Sequence, residues 1–419
     1  MKRRLFIGFF FFCLFPLALL SQSDCALTKT NRLWFAQMPL NDSVCLDFNF
    51  RMLSKDQKPQ LEIYNAEETF LVDELTMASD SIGFKMPVFD SELRFKWINK
   101  DSISGVWINH GSKNKSGLKF AARQIEVFPK KRNLLISPFV GKWKVDFNPE
   151  NKSDSYKSIG LFKESGCLDR IYGTFLTETG DYRYLSGRMY EKNKDTLMEL
   201  SSFDGSHAYV FKAKLKVDKT LEGDFYSGAH GHERWAAERN NQFELRNADS
   251  LTYLKPGYDK LDFSFPGLDG KVVSVSDDKY RGKVVIVQIM GSWCPNCMDE
   301  TRFLSGFYER NVSKGLEIVA LAYERTGDMN KAVANVERLK KRFACSYDFL
   351  IAATSSDKSE AVKTLPALKQ LISFPTTIYI DRKGKVRKIS TGFSGPATGT
   401  YFDKYVKETN EFVDMLLKE

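Results

Sequence analysis

The sequence is short of the residues that build metal sites. It has four histidines and seven cysteines in 419 residues, and one close cysteine pair, Cys294 and Cys297. His110, His207, His230 and His232 all lie far upstream of that pair, and no second cysteine pair stands near it. A structural zinc site needs four ligands, so the motif reads as metal-free. Runs of basic residues interleaved with stacking aromatics are also missing. The 62 Lys and Arg against 53 Asp and Glu are spread along the whole chain, and a net charge of +9 in that form reads as solubility, not as a nucleic-acid footprint. Long apolar runs are absent as well. The apolar stretch from Leu5 to Leu20 is broken by Gly8 and Pro16 and falls short of the roughly 20 residues of a spanning helix.

That stretch follows the basic Met1-Lys2-Arg3-Arg4 and precedes Ser21-Gln22-Ser23, the pattern of a cleaved export signal over residues 1–23. Membrane anchoring by an uncleaved segment is the lesser reading. So is a lipid on Cys25, because Asp24 is a poor fit to the small residue expected before it. Export implies a periplasmic location, where disulfides persist. Loss of Cys13 with the signal leaves Cys25, Cys45, Cys167, Cys294, Cys297 and Cys345. Cys25 and Cys45 are a candidate bridge that sequence alone leaves unassigned. Cys167 and Cys345, among apolar and aromatic neighbours, read as free buried thiols.

The length suggests two or three domains, at about 100–200 residues each. Residues 26–250 carry short alternating segments between turn-forming clusters: Cys45–Phe50, Gln60–Tyr64, Ile103–Asn109, Leu118–Ala122, Gly141–Phe147, Ile171–Phe175, Tyr182–Met189, His207–Val217 and Leu221–Tyr226. A glycine precedes a large ring by two positions at Gly105-Val106-Trp107, Gly141-Lys142-Trp143, Gly173-Thr174-Phe175 and Gly223-Asp224-Phe225. Such spacing suits a strongly curved antiparallel sheet with rings inside. The expectation is an all-β barrel or sandwich, in two halves meeting near 129–138. Its aromatics either fill a core or line a small-ligand cavity in a barrel mouth. His230-Gly231-His232-Glu233 offers two rings on one side of a strand but no third ligand, so a solvated turn is the preferred reading.

The chemistry gathers at Trp293-Cys294-Pro295-Asn296-Cys297. The preceding Lys283–Met290 is apolar and β-branched, as in a strand covered on both faces. Gly291 and Ser292 break it, and Pro295 suits the first turn of a helix running from Cys297 to Arg310. Cys294 then sits at a helix N-terminus, where free N–H groups and the macrodipole favour a thiolate. It is the expected attacking sulfur, and Cys297 the resolving one, through a Cys294–Cys297 disulfide. A purely structural disulfide is the alternative. Glu300, one turn on, faces the sheet and is a candidate for moving the Cys297 proton, with a solvated glutamate as the bland alternative. Asp299 is expected to face water.

Residues 256–419 resemble the TlpA/ResA-like thiol–disulfide oxidoreductases of the thioredoxin fold. The resemblance rests on Asp262-Phe263-Ser264-Phe265-Pro266-Gly267-Leu268-Asp269-Gly270-Lys271, on Arg281-Gly282-Lys283, on the Trp-Cys-Pro-Asn-Cys motif, and on Phe374-Pro375-Thr376-Thr377-Ile378-Tyr379-Ile380-Asp381. It implies a mixed sheet with helices on both faces and a cis-proline at Pro375 beside the two sulfurs. It also implies substrate contact at Trp293, Pro295, Phe374 and Pro375, and an acid at Glu300 acting on the pair. No cofactor is implied. The implied partners are disulfide-containing exported proteins and a membrane thiol donor. Gly173–Leu185 and Phe203–Val210 resemble amino-terminal regions of exported TlpA-like proteins of Bacteroidetes-type bacteria, and Gly141-Lys142-Trp143 resembles the opening of lipocalin-like barrels.

Two alternatives stay open. One is a thiol-dependent peroxidase, disfavoured because Gly291 stands where that neighbouring family needs threonine. The other is a ligand- or partner-binding β domain regulated by the redox domain. Residues 246–260 read as the linker. Beyond it come strands Leu316–Tyr323, Asp348–Ala353, Thr376–Ile380 and Val386–Ser390, and helices over Asn330–Ala344, Ser359–Leu371 and Tyr401–Leu417.

Overall fold

Trp143, Val145 and Phe147 alternate with half-buried neighbours along Gly141–Phe147, the period-2 pattern of a strand with one face on a core. In the computed structural model, which describes residues 32–77, 80–111, 117–126, 137–164 and 170–419, this strand belongs to a closed ring. Around the ring run Tyr156–Glu164, Gly141–Phe147, Gly231–Arg239, Leu221–Ser227, Ala208–Leu215, Asp195–Phe203, Leu185–Lys192 and Ile171–Thr177. The last pairs back to the first from Ser158 opposite Thr177 to Glu164 opposite Ile171, so the barrel has no free edge. Phe175 stacks on Phe211 at 4.5 Å and Phe211 on Phe225 at 4.3 Å. With Trp143 and Trp235 these rings fill the interior. Gly173 and Gly223 permit the packing: a Cβ at Gly173 would lie 2.3 Å from the Leu161 carbonyl oxygen, and one at Gly223 2.4 Å from the Trp235 ring.

Ahead of the barrel, a nine-stranded antiparallel sheet runs in the order Glu68–Val72, Lys58–Asn65, Cys45–Lys55, Arg32–Pro39, Leu118–Glu126, Ser102–Asn109, Ser91–Asn99, Ile82–Lys85, Glu74–Met77. Its two edge strands are consecutive in the chain, separated by Asp73 alone, so the sheet curls until its ends meet. The all-β antiparallel expectation is met by both sheets. The export-signal residues, Cys25, Cys167 and positions 129–136 of the expected junction lie outside the described residues.

The third sheet is mixed, in the order Asp348–Ala353, Leu316–Tyr323, Val284–Met290, Thr376–Ile380, Val386–Thr391. Val284–Met290 runs parallel to Leu316–Tyr323 and antiparallel to Thr376–Ile380, and every one of its residues is buried. Helices Pro295–Asn311, Met329–Arg342, Lys358–Thr364 and Thr400–Lys418 complete the thioredoxin fold. Two expectations are adjusted. The strand expected over Tyr182–Met189 begins at Leu185, because Arg183 adopts a left-handed φ of 56° that breaks the extended chain. The helical stretch expected over Ser359–Leu371 stops at Thr364. Within the segment 246–260, Leu251 and Thr252 are buried, the Lys255 N–H donates to the Ala367 carbonyl at 2.8 Å, and the Lys369 N–H donates to the Tyr253 carbonyl at 2.9 Å.

Candidate active site

Met290 ends the central strand, and Cys294 caps the helix Pro295–Asn311 with extended backbone at φ −99° and ψ 115°. Its sulfur takes the place of an N-cap oxygen: the Cys297 N–H donates to it at 3.3 Å. On its other side the thiol faces the Phe374 carbonyl oxygen at 3.5 Å. The Phe374–Pro375 bond is cis, so the proline loop and the sulfur meet as the sequence resemblance implies. Cys297, one turn deeper, has no exposed surface. Burial, reinforced by the neighbouring Cys294 and by Glu300, pushes its thiol well above the ordinary cysteine range.

Glu300 also has no exposed surface, which removes the solvated alternative. Its carboxylate accepts from Thr377 Oγ1 at 2.7 Å, Gln288 Nε2 at 2.9 Å and Tyr405 Oη at 3.2 Å. Burial outweighs these three donors and pushes its pKa up to about 7. Gln288 also bridges Glu300 to the Cys297 carbonyl at 3.5 Å, which explains an amide inside an otherwise apolar strand. A carboxyl poised near neutrality beside a buried thiol can accept that thiol's proton and return it.

Trp293 is fixed by its indole N–H, which donates to the Tyr323 carbonyl at 2.9 Å, and by the Arg325 guanidinium 3.3 Å above its ring. It meets Phe374 edge-on at 5.6 Å. Ser292 donates through both its N–H and its hydroxyl to the buried Glu324, each at 2.7 Å, and so holds the turn before the motif. The expected contact residues Trp293, Pro295, Phe374 and Pro375 thus lie beside Cys294, all but Trp293 buried. A side chain at Gly291 would lie 2.3 Å from the Trp293 indole, so the site has no room for the threonine a peroxidase needs there.

Asp299 corrects an expectation. It is 5% exposed and accepts from Arg183 Nε at 2.7 Å and Nη2 at 3.1 Å, because the barrel, not solvent, covers this flank of the helix. Arg183 also pairs with Glu68 of the first sheet at 2.5 Å and approaches Asp204 at 3.5 Å. The paired acids hold the guanidinium above its ordinary range despite full burial, while burial pushes Glu68 up to about 7. No sequence pattern pointed to Arg183, Glu68 or Asp204. A run of Asp-Tyr-Arg after a glycine was the only trace.

The remaining candidates lie apart. His232 pairs with Asp224 at 2.8 Å, whereas Glu233 accepts from Tyr156 at 2.7 Å, so the His-x-His-Glu run serves two separate contacts and lends no support to a metal site. Cys345 is a buried free thiol, and Cys45 is free and half-buried. Among the described residues no helix is long and apolar enough to cross a membrane.

The Redoxin family pattern matches residues 256–403. The chain is 31% identical over 141 residues to the thiol-disulfide oxidoreductase ResA of Geobacillus thermodenitrificans (strain NG80-2), a match covering 34% of this chain and 72% of that protein. It is 30% identical over 139 residues to ResA of Bacillus subtilis (strain 168), covering 33% and 69%. Among solved structures it is similar to a thiol:disulfide interchange protein of the thioredoxin family from Chlorobium tepidum TLS. That match has 22% identity and a TM-score of 0.29, and covers 38% of this chain and 95% of that one.

Proposed function

Because the chain belongs to the ResA-like thiol–disulfide oxidoreductases, we propose that it works as a disulfide reductase in an exported compartment, through Cys294 and Cys297. The observation that carries this reading is the position of the Cys294 sulfur, between the Cys297 N–H and the Phe374 carbonyl of the cis-proline loop.

Cys294, as thiolate, attacks one sulfur of a target disulfide, and the other sulfur leaves as a thiolate that takes up a proton. Glu300 then accepts the Cys297 proton, and the Cys297 thiolate attacks Cys294, forming the intramolecular disulfide and releasing the second target thiol. Two electrons pass from the protein to the target. A membrane-bound thiol donor returns the pair to the dithiol by the reverse exchange.

The reducing direction is supported by the buried, proton-holding Cys297. A strong oxidant is one whose reduced form is stabilised, and a thiol starved of solvation gives the dithiol no such advantage. Trp293, Pro295, Phe374 and Pro375 serve as the target-contact set. The division into an export segment 1–23, a β-rich part 26–250 and a redox part 256–419 belongs to the same proposal. A peroxidase role is disfavoured by the crowding at Gly291.

The test is the reduction potential of the Cys294–Cys297 pair, together with trapping of mixed disulfides on a Cys297→Ala variant. A potential near that of thioredoxin, about −270 mV, supports the reductase. A value near −120 mV, that of a strong oxidant, would reverse the assigned direction.

A further inference from the structure

The cis-proline face is already occupied by this chain's own barrel. The turn that joins Ile171–Thr177 to Gly180–Asp181 crosses it. Ser373 Oγ donates to the Thr179 carbonyl at 2.7 Å, and the Gly395 N–H donates to Asp181 Oδ2 at 2.6 Å. A Cβ at Gly392 would lie 2.8 Å from the Thr179 carbonyl carbon, and one at Gly180 2.0 Å from Asn296 Nδ2. From a neighbouring barrel loop, Ser206 Oγ donates to the Trp293 carbonyl at 3.3 Å. Cys294 is accordingly 6% exposed and Phe374 7%, and Pro375 is buried. A partner strand adding along the proline loop would need the space this hairpin fills.

The hairpin is also fastened. Arg183, two residues beyond it, is clamped by Asp299 from the redox helix and Glu68 from the first sheet, so three parts of the molecule hold the cap in place.

What stays open beside the motif is a cavity of about 940 Å³ between the barrel mouth and the redox helix. Tyr156, Tyr182 and Tyr209 of the barrel line it together with Pro295, Asn296 and Phe374, the neighbours of Cys294. The volume lies in the range of about 300–1,000 Å³ typical of small-molecule sites. Charges of both signs line it in pairs, Lys157 with Asp146 at 2.5 Å and Arg246 with Glu178 at 2.5 Å. Both pairs are solvent-exposed, so a zwitterion's carboxylate and ammonium can exchange into them.

We propose that the site takes low-molecular-weight disulfides of the size and charge of cystine, entering through this cavity, in preference to disulfides on folded proteins. The inference rests on the dithiol reading above and narrows its substrate. Cys294 attacks one sulfur of the small disulfide and expels one amino thiol. Cys297 then displaces the second, so one cystine becomes two cysteines as the protein dithiol becomes a disulfide.

The test uses the full chain, pre-reduced and freed of reductant, mixed with excess cystine or with insulin. Alkylation and mass spectrometry count the remaining thiols over time, and each rate is divided by that of dithiothreitol with the same disulfide. Cystine is expected to be favoured at least tenfold on this scale. Thr179→Trp, which fills the cavity from an exposed position and keeps the backbone contact to Ser373, is expected to slow cystine at least tenfold and leave the final extent of oxidation unchanged. Equal or faster reaction with insulin, or a Thr179→Trp variant as fast as the parent, overturns the proposal. Failure of both disulfides to oxidise the pair overturns the dithiol reading itself.

Discussion

Two buried carboxylate systems flank the redox helix, and they behave differently. On the sheet side a single acid, Glu300, is surrounded by the neutral donors of Gln288, Thr377 and Tyr405. On the barrel side Glu68, Asp204 and Asp299 surround one guanidinium, that of Arg183. Neutral donors leave Glu300 without a fixed counter-charge, whereas the shared guanidinium ties acids from three separate elements to one point. Adjacent residues of one helix, Asp299 and Glu300, thus belong to a fastening cluster and, in the proposed mechanism, to the proton-transfer position respectively.

Substitutions can break this contrast, and the largest effect is expected at the sulfur both systems flank. Cys294→Ser should abolish dithiol–disulfide turnover, read as loss of thiol release in single-turnover assays, and leave the fold intact by circular dichroism. Next comes Arg183→Met, which strands three buried acids. Loss of one partner of a buried ion group costs about 3–5 kcal/mol, so the urea midpoint should fall markedly and the exposure of Cys294 to alkylation should rise. If stability were unchanged, the fastening role would be wrong.

Glu300→Gln should slow resolution of the mixed disulfide by about 100-fold, in line with loss of a general base, and should erase an inflection near pH 7 in that rate. The sign of the linked stability change is also fixed. The folded pKa of Glu300 lies above the unfolded value of about 4.5, so its contribution is complete below about 4.5 and fades as pH rises through about 7. The glutamine variant should show a flatter stability profile over that window. The smallest effect is expected at Lys331, whose pairing with Asp90 at 2.6 Å links the first sheet to helix Met329–Arg342 at the surface. Lys331→Ala should cost less than about 1 kcal/mol in thermal unfolding.

The redox part was largely legible in the sequence because its chemistry and fold are local. A buried strand, a turn and a Cys-Pro-x-Cys helix start fall within a few residues, and their spacing fixes which sulfur caps the helix. Glu300 was visible for the same reason, being one turn from Cys297. In the β part the glycine and aromatic pairs marked curvature and interior rings correctly, since a Cβ at Gly173 or Gly223 has nowhere to go. The cluster around Arg183 was hidden. Its members are far apart in the chain, and each alone is an ordinary charged residue. Asp299 was misjudged for that reason: helical periodicity says which face leaves the sheet but not what waits beyond it. Composition marks 246–260 as a linker, because its polar residues outnumber Leu251, Tyr253 and Leu254, but it does not show the backbone hydrogen bonds that the segment makes to residues 367 and 369.

The sealed ring of the barrel bears on how the thiols are reached. Filled with stacked phenylalanines and lacking a loose strand, it is close-packed and yields little to compression. The turn carrying Thr179 and Gly180 projects from this stiff cylinder like the jaw of a caliper. The gap over the cysteines is then gauged by the cylinder's seating on the redox helix, and a molecule too wide for it must shift the whole ring.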